Sequence, residues 1–182
     1  NYLAQGESAI ITYSYNVIDG LGGIVAQTAT VTITGLNDAP TVSAAVSTMA
    51  TEDDASFSLN LLTSVSDDDT TDMLNVSNLM NTGGDNSGIT VNGNSLDIDP
   101  NAYTHLAQGA SEVITYSYNV IDGNGGSVPQ TATITITGVN DAPTVSAAVS
   151  TTATEDAAGF SLDLLTNASD VDNGAVLNIS GL

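Results

Sequence analysis

The residues of this chain whose types and spacing can do chemistry are short acidic motifs that each occur twice. Thr51-Glu52-Asp53 returns as Thr154-Glu155-Asp156, Ser66-Asp67-Asp68-Asp69 as Ser169-Asp170-Val171-Asp172, Asn37-Asp38 as Asn140-Asp141, and the Asp19-Gly20 turn as Asp122-Gly123. Across 182 residues there are 21 acids, no Lys, no Arg, no Cys and one His, so no basic side chain can neutralise these groups. At an effective dielectric near 20, two carboxylates about 5 Å apart repel by roughly 3 kcal/mol, and clustered acids are costly until a cation joins them. Seventeen of the 21 acids are Asp, the short, stiff carboxylate that suits a metal site in a turn. An oxygen-only ligand set points to Ca²⁺. Zn²⁺ takes Cys and His, and Mg²⁺ demands strict octahedral geometry and sheds water reluctantly.

Other chemistries fit poorly. Ser and Thr are abundant, but a hydroxyl nucleophile needs a base, and His105 stands where the earlier copy has Tyr2, outside the repeated pattern. Paired carboxylates serve glycosidases, yet acids in a turn beside other unpaired acids are more simply cation ligands. The chain is therefore read as no enzyme. A net charge of −21 excludes nucleic acid and anionic membrane as partners, and no apolar run approaches the roughly 20 residues that span a bilayer.

The elements that must position these acids follow from repetition. Leu3 to Leu79 aligns with Leu106 to Leu182 without a gap at 56 of 77 positions, a period of 103 residues. Gly35-Leu36-Asn37-Asp38-Ala39-Pro40 and Gly138-Val139-Asn140-Asp141-Ala142-Pro143 carry the turn chemistry of linkers. Residues 39–141 are thus expected to be one complete repeat, 1–38 the end of the one before and 142–182 the start of the one after. Beginning at Asn1 without Met or an export segment, the chain is expected to be an excerpt.

Within 39–141, strand-like runs cover 41–46, 56–62, 73–79, 88–92, 94–98, 112–121 and 127–137. Seven strands in about 100 residues predict an all-β, Ig-like sandwich. Period-two alternation places Ile114, Tyr116, Tyr118 and Val120 on one face, with Ile134 and Ile136, as core. Asn92-Gly93-Asn94 predicts a tight hairpin and Asp122 to Gly126 a looser one.

The order NDAP, TED, SDVD resembles the linker and first-half motifs of cadherin repeats, and YSYNVIDGNGG followed by TATITITGVNDAP is similar to the cadherin-like and VCBS repeats of RTX-type bacterial adhesins. The resemblance covers the whole chain. It implies Ca²⁺ held at each junction by the preceding domain, the linker and a D-x-D of the following domain. Carried over, the junction near 140 uses Glu52, Asp97, Asp99, Asn140, Asp141, Asp170 and Asp172, and the junction near 37 uses Asn37, Asp38, Asp67, Asp69 and Asp122. The pattern departs from cadherins in having Gly35-Leu36 and Gly138-Val139 where an acid usually precedes the Asn, and in lacking a basic residue within Leu96-Asp97-Ile98-Asp99. In the D-x-D the outer acids persist between copies while Asp68 becomes Val171, as expected if the outer pair binds and the middle position faces solvent.

The expected function is a calcium-stiffened extender of an extracellular, bacterial cell-surface adhesin serving cell adhesion or biofilm attachment, with neighbouring repeats as its partners. Two alternatives stand beside it. One is a filament subunit in which identical chains pair by strand complementation, and the other is a carbohydrate-binding sandwich, which needs an exposed aromatic platform.

Overall fold

In a computed structural model that describes residues 2–181, the alternating runs become strands and the Gly-Asn-Asp-Pro clusters become turns. Asn1 and Leu182, the outermost residues of the segments expected at 1–38 and 142–182, lie outside the described residues. In chain order the strands are β1 (Ser8–Ile18), β2 (Ile24–Thr34), β3 (Thr41–Val42), β4 (Val46–Thr51), β5 (Phe57–Asn60), β6 (Val65–Ser66) and β7 (Asn75–Gly83). They continue with β8 (Ile89–Asn92), β9 (Ser95–Ile98), β10 (Ser111–Ile121), β11 (Ser127–Thr137), β12 (Thr144–Val145) and β13 (Ala168–Ser169). A single 3₁₀ turn, Pro100–Tyr103, interrupts them among the described residues. Among the described residues no helix is long and apolar enough to cross a membrane.

Strands β4 to β11 include the sheets of a β-sandwich, one in the order β4-β11-β10-β7 and the other in the order β5-β9-β8. The run 41–46 does not form one strand. It divides into β3, which pairs with β6 (Thr41↔Ser66, Val42↔Val65), and β4, which lies beside β11. Ser43, between them, is held to Ser64 by its backbone N–H at 2.9 Å and its hydroxyl at 3.1 Å. The hairpin β8–β9 closes through Gly93-Asn94 in the register Asn92↔Ser95. Gly93 has a φ of 58°, the left-handed conformation such a turn needs.

Two compact units are distinguished within the chain. One gathers the residues up to Val46 with Asn60–Met80 and Tyr116–Ala132; the other gathers Ser47–Leu59, Asn81–Thr115 and the residues from Thr133 onward. In the first, Tyr118 is buried and donates its hydroxyl to Leu61 O at 2.7 Å, and Gln130 Nε2 donates to Ala44 O at 2.8 Å. In the second, Ile98, Tyr103, Ile114, Ile134 and Ile136 are buried, and Tyr103 donates to Asp85 O at 2.8 Å. Burying Ile and Tyr side chains of this size contributes roughly 1.5–3 kcal/mol each.

Along β10 and β11 the inward positions Ile114, Tyr116, Tyr118, Val120, Ile134 and Ile136 are all buried, as the alternation predicts. The same face recurs on the β1–β2 hairpin, registered Ser8↔Thr34 to Ile18↔Ile24, but is open there. Tyr13 is 59% exposed where its counterpart Tyr116 is 4% exposed. Likewise residues 160–163, the counterpart of β5, form no strand. β5 is bonded to β9, and the chain contains no second copy of β9.

Candidate metal centres

Each unit holds one linker and the acidic turn that follows it, and the local geometry is repeated. In the first, the backbone N–H of Asp38 donates to Asp69 Oδ2 at 2.8 Å and that of Asp69 to Asp67 Oδ1 at 2.9 Å. In the second, Asp141 N donates to Asp172 Oδ2 at 3.1 Å and Asp172 N to Asp170 Oδ1 at 3.0 Å. The last acid of each D-x-D thus fastens the linker while the first braces the turn, and the last is sequestered: Asp69 is 1% exposed and Asp172 8%. Asp68 and Val171, between them, are both exposed.

The linkers start with glycine for a packing reason. A Cβ on Gly138 would overlap the carbonyl oxygens of Leu106 and Ala107, and one on Gly35 those of Leu3 and Ala4. Gly138 N donates to Ala110 O at 2.8 Å and Gly35 N to Glu7 O at 2.9 Å. No acid fits at these positions.

Three carboxylates converge in the second unit. Oxygens of Glu52, Asp141 and Asp172 lie within 4.8 Å of one another. Glu52, beyond the end of β4, is fully buried; its N–H donates to Thr137 O at 3.1 Å and its Oε1 accepts from Val139 N at 2.6 Å. Burial pushes the Asp141 carboxyl above its ordinary pKa, and the nearby charges of Asp172, Asp53 and Asp170 push it the same way. Asn140 turns its amide to Asp141 O at 2.8 Å and is exposed.

The first unit gathers Asp67, Asp72 and Asp122, again with oxygens within 4.8 Å of one another. Asp122, 3% exposed, sits in the β10–β11 turn, where its Oδ1 accepts from Asn124 N at 2.8 Å and Gly126 N at 2.9 Å. Gly126 is required here, because a Cβ would overlap Asp122 Oδ2. That Oδ2 accepts from Asn37 Nδ2 at 3.0 Å. Burial works to raise the Asp122 pKa, but hydrogen bonds from Asn37 and then from the N–H groups of Asn124, Gly126 and Gly125 outweigh it, and the net shift is downward.

Seven buried side-chain oxygens of the described residues accept no hydrogen bond: Asn37 Oδ1, Glu52 Oε2, Asp67 Oδ2, Asp69 Oδ1, Asp72 Oδ2, Asp141 Oδ2 and Asp172 Oδ1. All are acceptors, and all belong to the linkers or to the residues just described around them. Buried polar atoms are ordinarily satisfied, and a carboxylate oxygen lacking a donor costs more than a neutral one. At about 5 Å and an effective dielectric near 20, each pair of carboxylates adds about 3 kcal/mol of repulsion. The donor set of hard oxygens with no nitrogen or sulfur fits Ca²⁺.

Asp97 and Asp99, expected at the junction near 140, take other partners. Asp97 Oδ2 accepts from Asn92 Nδ2 at 2.8 Å and Asp99 Oδ1 from Ser56 Oγ at 3.2 Å, and neither belongs to either group. Asp72 is absent from the expected set, because it lies outside the motifs that carry the cadherin resemblance and Ala175 replaces it in the next copy. His105 takes part through its backbone alone, its carbonyl accepting from Asn173 N at 2.9 Å.

Comparison with curated proteins found no match. A family model described as a cadherin-like domain matches residues 36–137, more than half of the chain and the span of both β4-β11-β10-β7 and β5-β9-β8. The chain belongs to the cadherin-like domain family.

Proposed function

We propose that this chain is a calcium-stiffened extender segment of a bacterial cell-surface adhesin, with residues 39–141 as one complete repeat between parts of two others. Membership of a family of adhesion type, whose members work outside the cell and generally bind calcium, supports the coarse reading. The observation that carries the finer one is the convergence of Glu52, Asp141 and Asp172, which come from the repeat, the linker and the segment beyond it. Each has a buried oxygen without a donor. Glu52, Asp141, Asp170 and Asp172 are the proposed ligands there, and Asn37, Asp38, Asp67, Asp69 and Asp122 at the earlier junction.

Ca²⁺ bound at such a site would supply the counter-charge that the chain lacks. The protein's own part is to hold the oxygens in place: the Val139 and Asp38 N–H bonds fix Glu52 and Asp69 before any ion arrives. Binding only to the folded, aligned form adds RT ln(1 + [L]/Kd) to stability, and extracellular modules of this kind operate at millimolar calcium. The test is a thermal melt of the chain in calcium, magnesium and EDTA, with sedimentation under the same conditions. Calcium should raise the Tm more than magnesium does and leave an elongated monomer. Coincident melts in calcium and EDTA would overturn the reading, and a calcium-dependent polymer would favour pairing between chains.

A further inference from the structure

The turns at 66–72 and 169–175 close through matching bonds, Asp72 N to Asp69 O at 3.1 Å and Ala175 N to Asp172 O at 3.2 Å, although Gly174 has a φ of 82° where Thr71 stands in the first. Two positions in them differ in charge. At one, Asp68 and Val171 are both exposed. At the other, Asp72 of the first turn is replaced by Ala175 in the second, and Asp72 is one of the three carboxylates that converge with Asp67 and Asp122.

We propose that Asp72 is an additional cation ligand present in one junction and deleted from the next, so that successive junctions of the array differ in calcium affinity. The proposal rests on the calcium reading above and adds a residue and a gradation to it. Asp72 Oδ1 is occupied, accepting from Asn124 Nδ2 at 2.8 Å, while Oδ2 is buried without a donor. In the same turn Asp69 is 1% exposed and its Oδ1 also lacks a donor, as does Asp67 Oδ2. Asn124 further donates its backbone N–H to Asp122 Oδ1, so one residue touches two of the three acids. In the earlier copy its place is taken by Leu21, which donates its backbone N–H to Asp19 Oδ1 but has no side-chain amide to offer. The Asp72 and Asn124 pair is therefore a property of this repeat and not of the general pattern. Calcium affinity in protein sites is set largely by the number of charged ligands, and one more carboxylate strengthens the hold.

The experiment is calcium titration calorimetry on the 182-residue chain and its variants, with melts in EDTA and far-UV dichroism as a check of fold. Asp72→Asn keeps an acceptor for Asn124 but replaces the free oxygen by a donor. It should weaken one class of sites by at least about tenfold, and the Tm in EDTA should not fall, because a like charge has been removed. Asp72→Ala, the residue of the next copy, should weaken the same class. Glu52→Gln should weaken the other class and serves as the reference. If Glu52→Gln weakens binding while both Asp72 variants bind within twofold of the parent, Asp72 is only a hydrogen-bond acceptor and this inference alone is wrong. A parent chain that binds no calcium overturns the calcium reading and this inference together.

Discussion

Val139 donates its backbone N–H to Glu52 Oε1 at 2.6 Å, which ties a fully buried carboxylate of one repeat to the linker leading out of it. The two residues are 87 positions apart. The other oxygen, Oε2, accepts nothing and belongs to the residue that meets Asp141 and Asp172. One atom thus has a structural task and the other is available for a ligand.

That division predicts the behaviour of Glu52→Gln. The amide oxygen retains the bond to Val139 while the new NH₂ group relieves repulsion among the carboxylates, so the variant should melt no lower than the parent in EDTA and gain less from calcium. Calorimetry should show an affinity loss of about tenfold or more. An unchanged calcium-induced rise in Tm would mean that Glu52 acts through packing alone.

The D-x-D turn ranks its own acids. Asp69, nearly inaccessible and bonded to Asp38 N, should lose far more calcium affinity on replacement by Ala than the exposed Asp68 does. Asp69→Ala should also cost about 1–3 kcal/mol of stability by leaving the Asp38 N–H without its acceptor. Equal losses from both variants, measured by calorimetry and urea titration, would identify the turn as diffuse negative charge.

Asp141 is the linker acid whose neighbours Asp172, Asp53 and Asp170 already oppose its ionisation. With calcium removed, those groups repel across the linker, and the chain should show a shorter maximum dimension in small-angle scattering. Asp141→Ala should show that reduced dimension even in calcium while dichroism reports an intact fold. A variant that keeps the calcium-bound dimension would place the stiffness in packing.

Tyr118 sets an alkaline limit. Burial raises its pKa to about 12 from the ordinary value of 10.0, and its hydroxyl donates to Leu61 O. Because the folded form holds the proton more tightly, this contribution is complete below about pH 10 and is lost as pH rises from there toward 12. Tyr118→Phe should cost about 1 kcal/mol at neutral pH and make the alkaline fall in stability shallower. Urea titrations at pH 8 and 11 give both numbers, and an unchanged slope between them would assign the alkaline limit to another group.

Much of the fold was legible because two periods are written in the chain. The two-residue alternation of Ile114, Tyr116, Tyr118 and Val120 marks a face, since successive side chains of a strand point to opposite sides. The 103-residue repeat marks the linkers. Comparing copies separates Asp67 and Asp69 from Asp68; Asp69 is buried, Asp67 half-buried and Asp68 exposed. Alternation does not name the element that covers a face, however. The run 41–46 reads as one strand, yet β3 goes to β6 and β4 to β11, because Ser43 is bonded to Ser64 between them.

By itself, then, the sequence determined the sandwich, the 103-residue repeat and the oxygen-only character of any cation site, all of which follow from local spacing and residue type. Only the tertiary structure decided which acids meet. Asp72 joins Asp67 and Asp122, whereas Asp97 and Asp99 turn to Asn92 and Ser56. Proximity between residues 50 or more positions apart depends on strand order and register, and neither is encoded in a motif. The same holds for burial: Tyr13 and Tyr116 occupy identical sequence contexts and differ from 59% to 4% exposed. A hydrophobic face is a property of the strand, but its burial is a property of whatever packs against it.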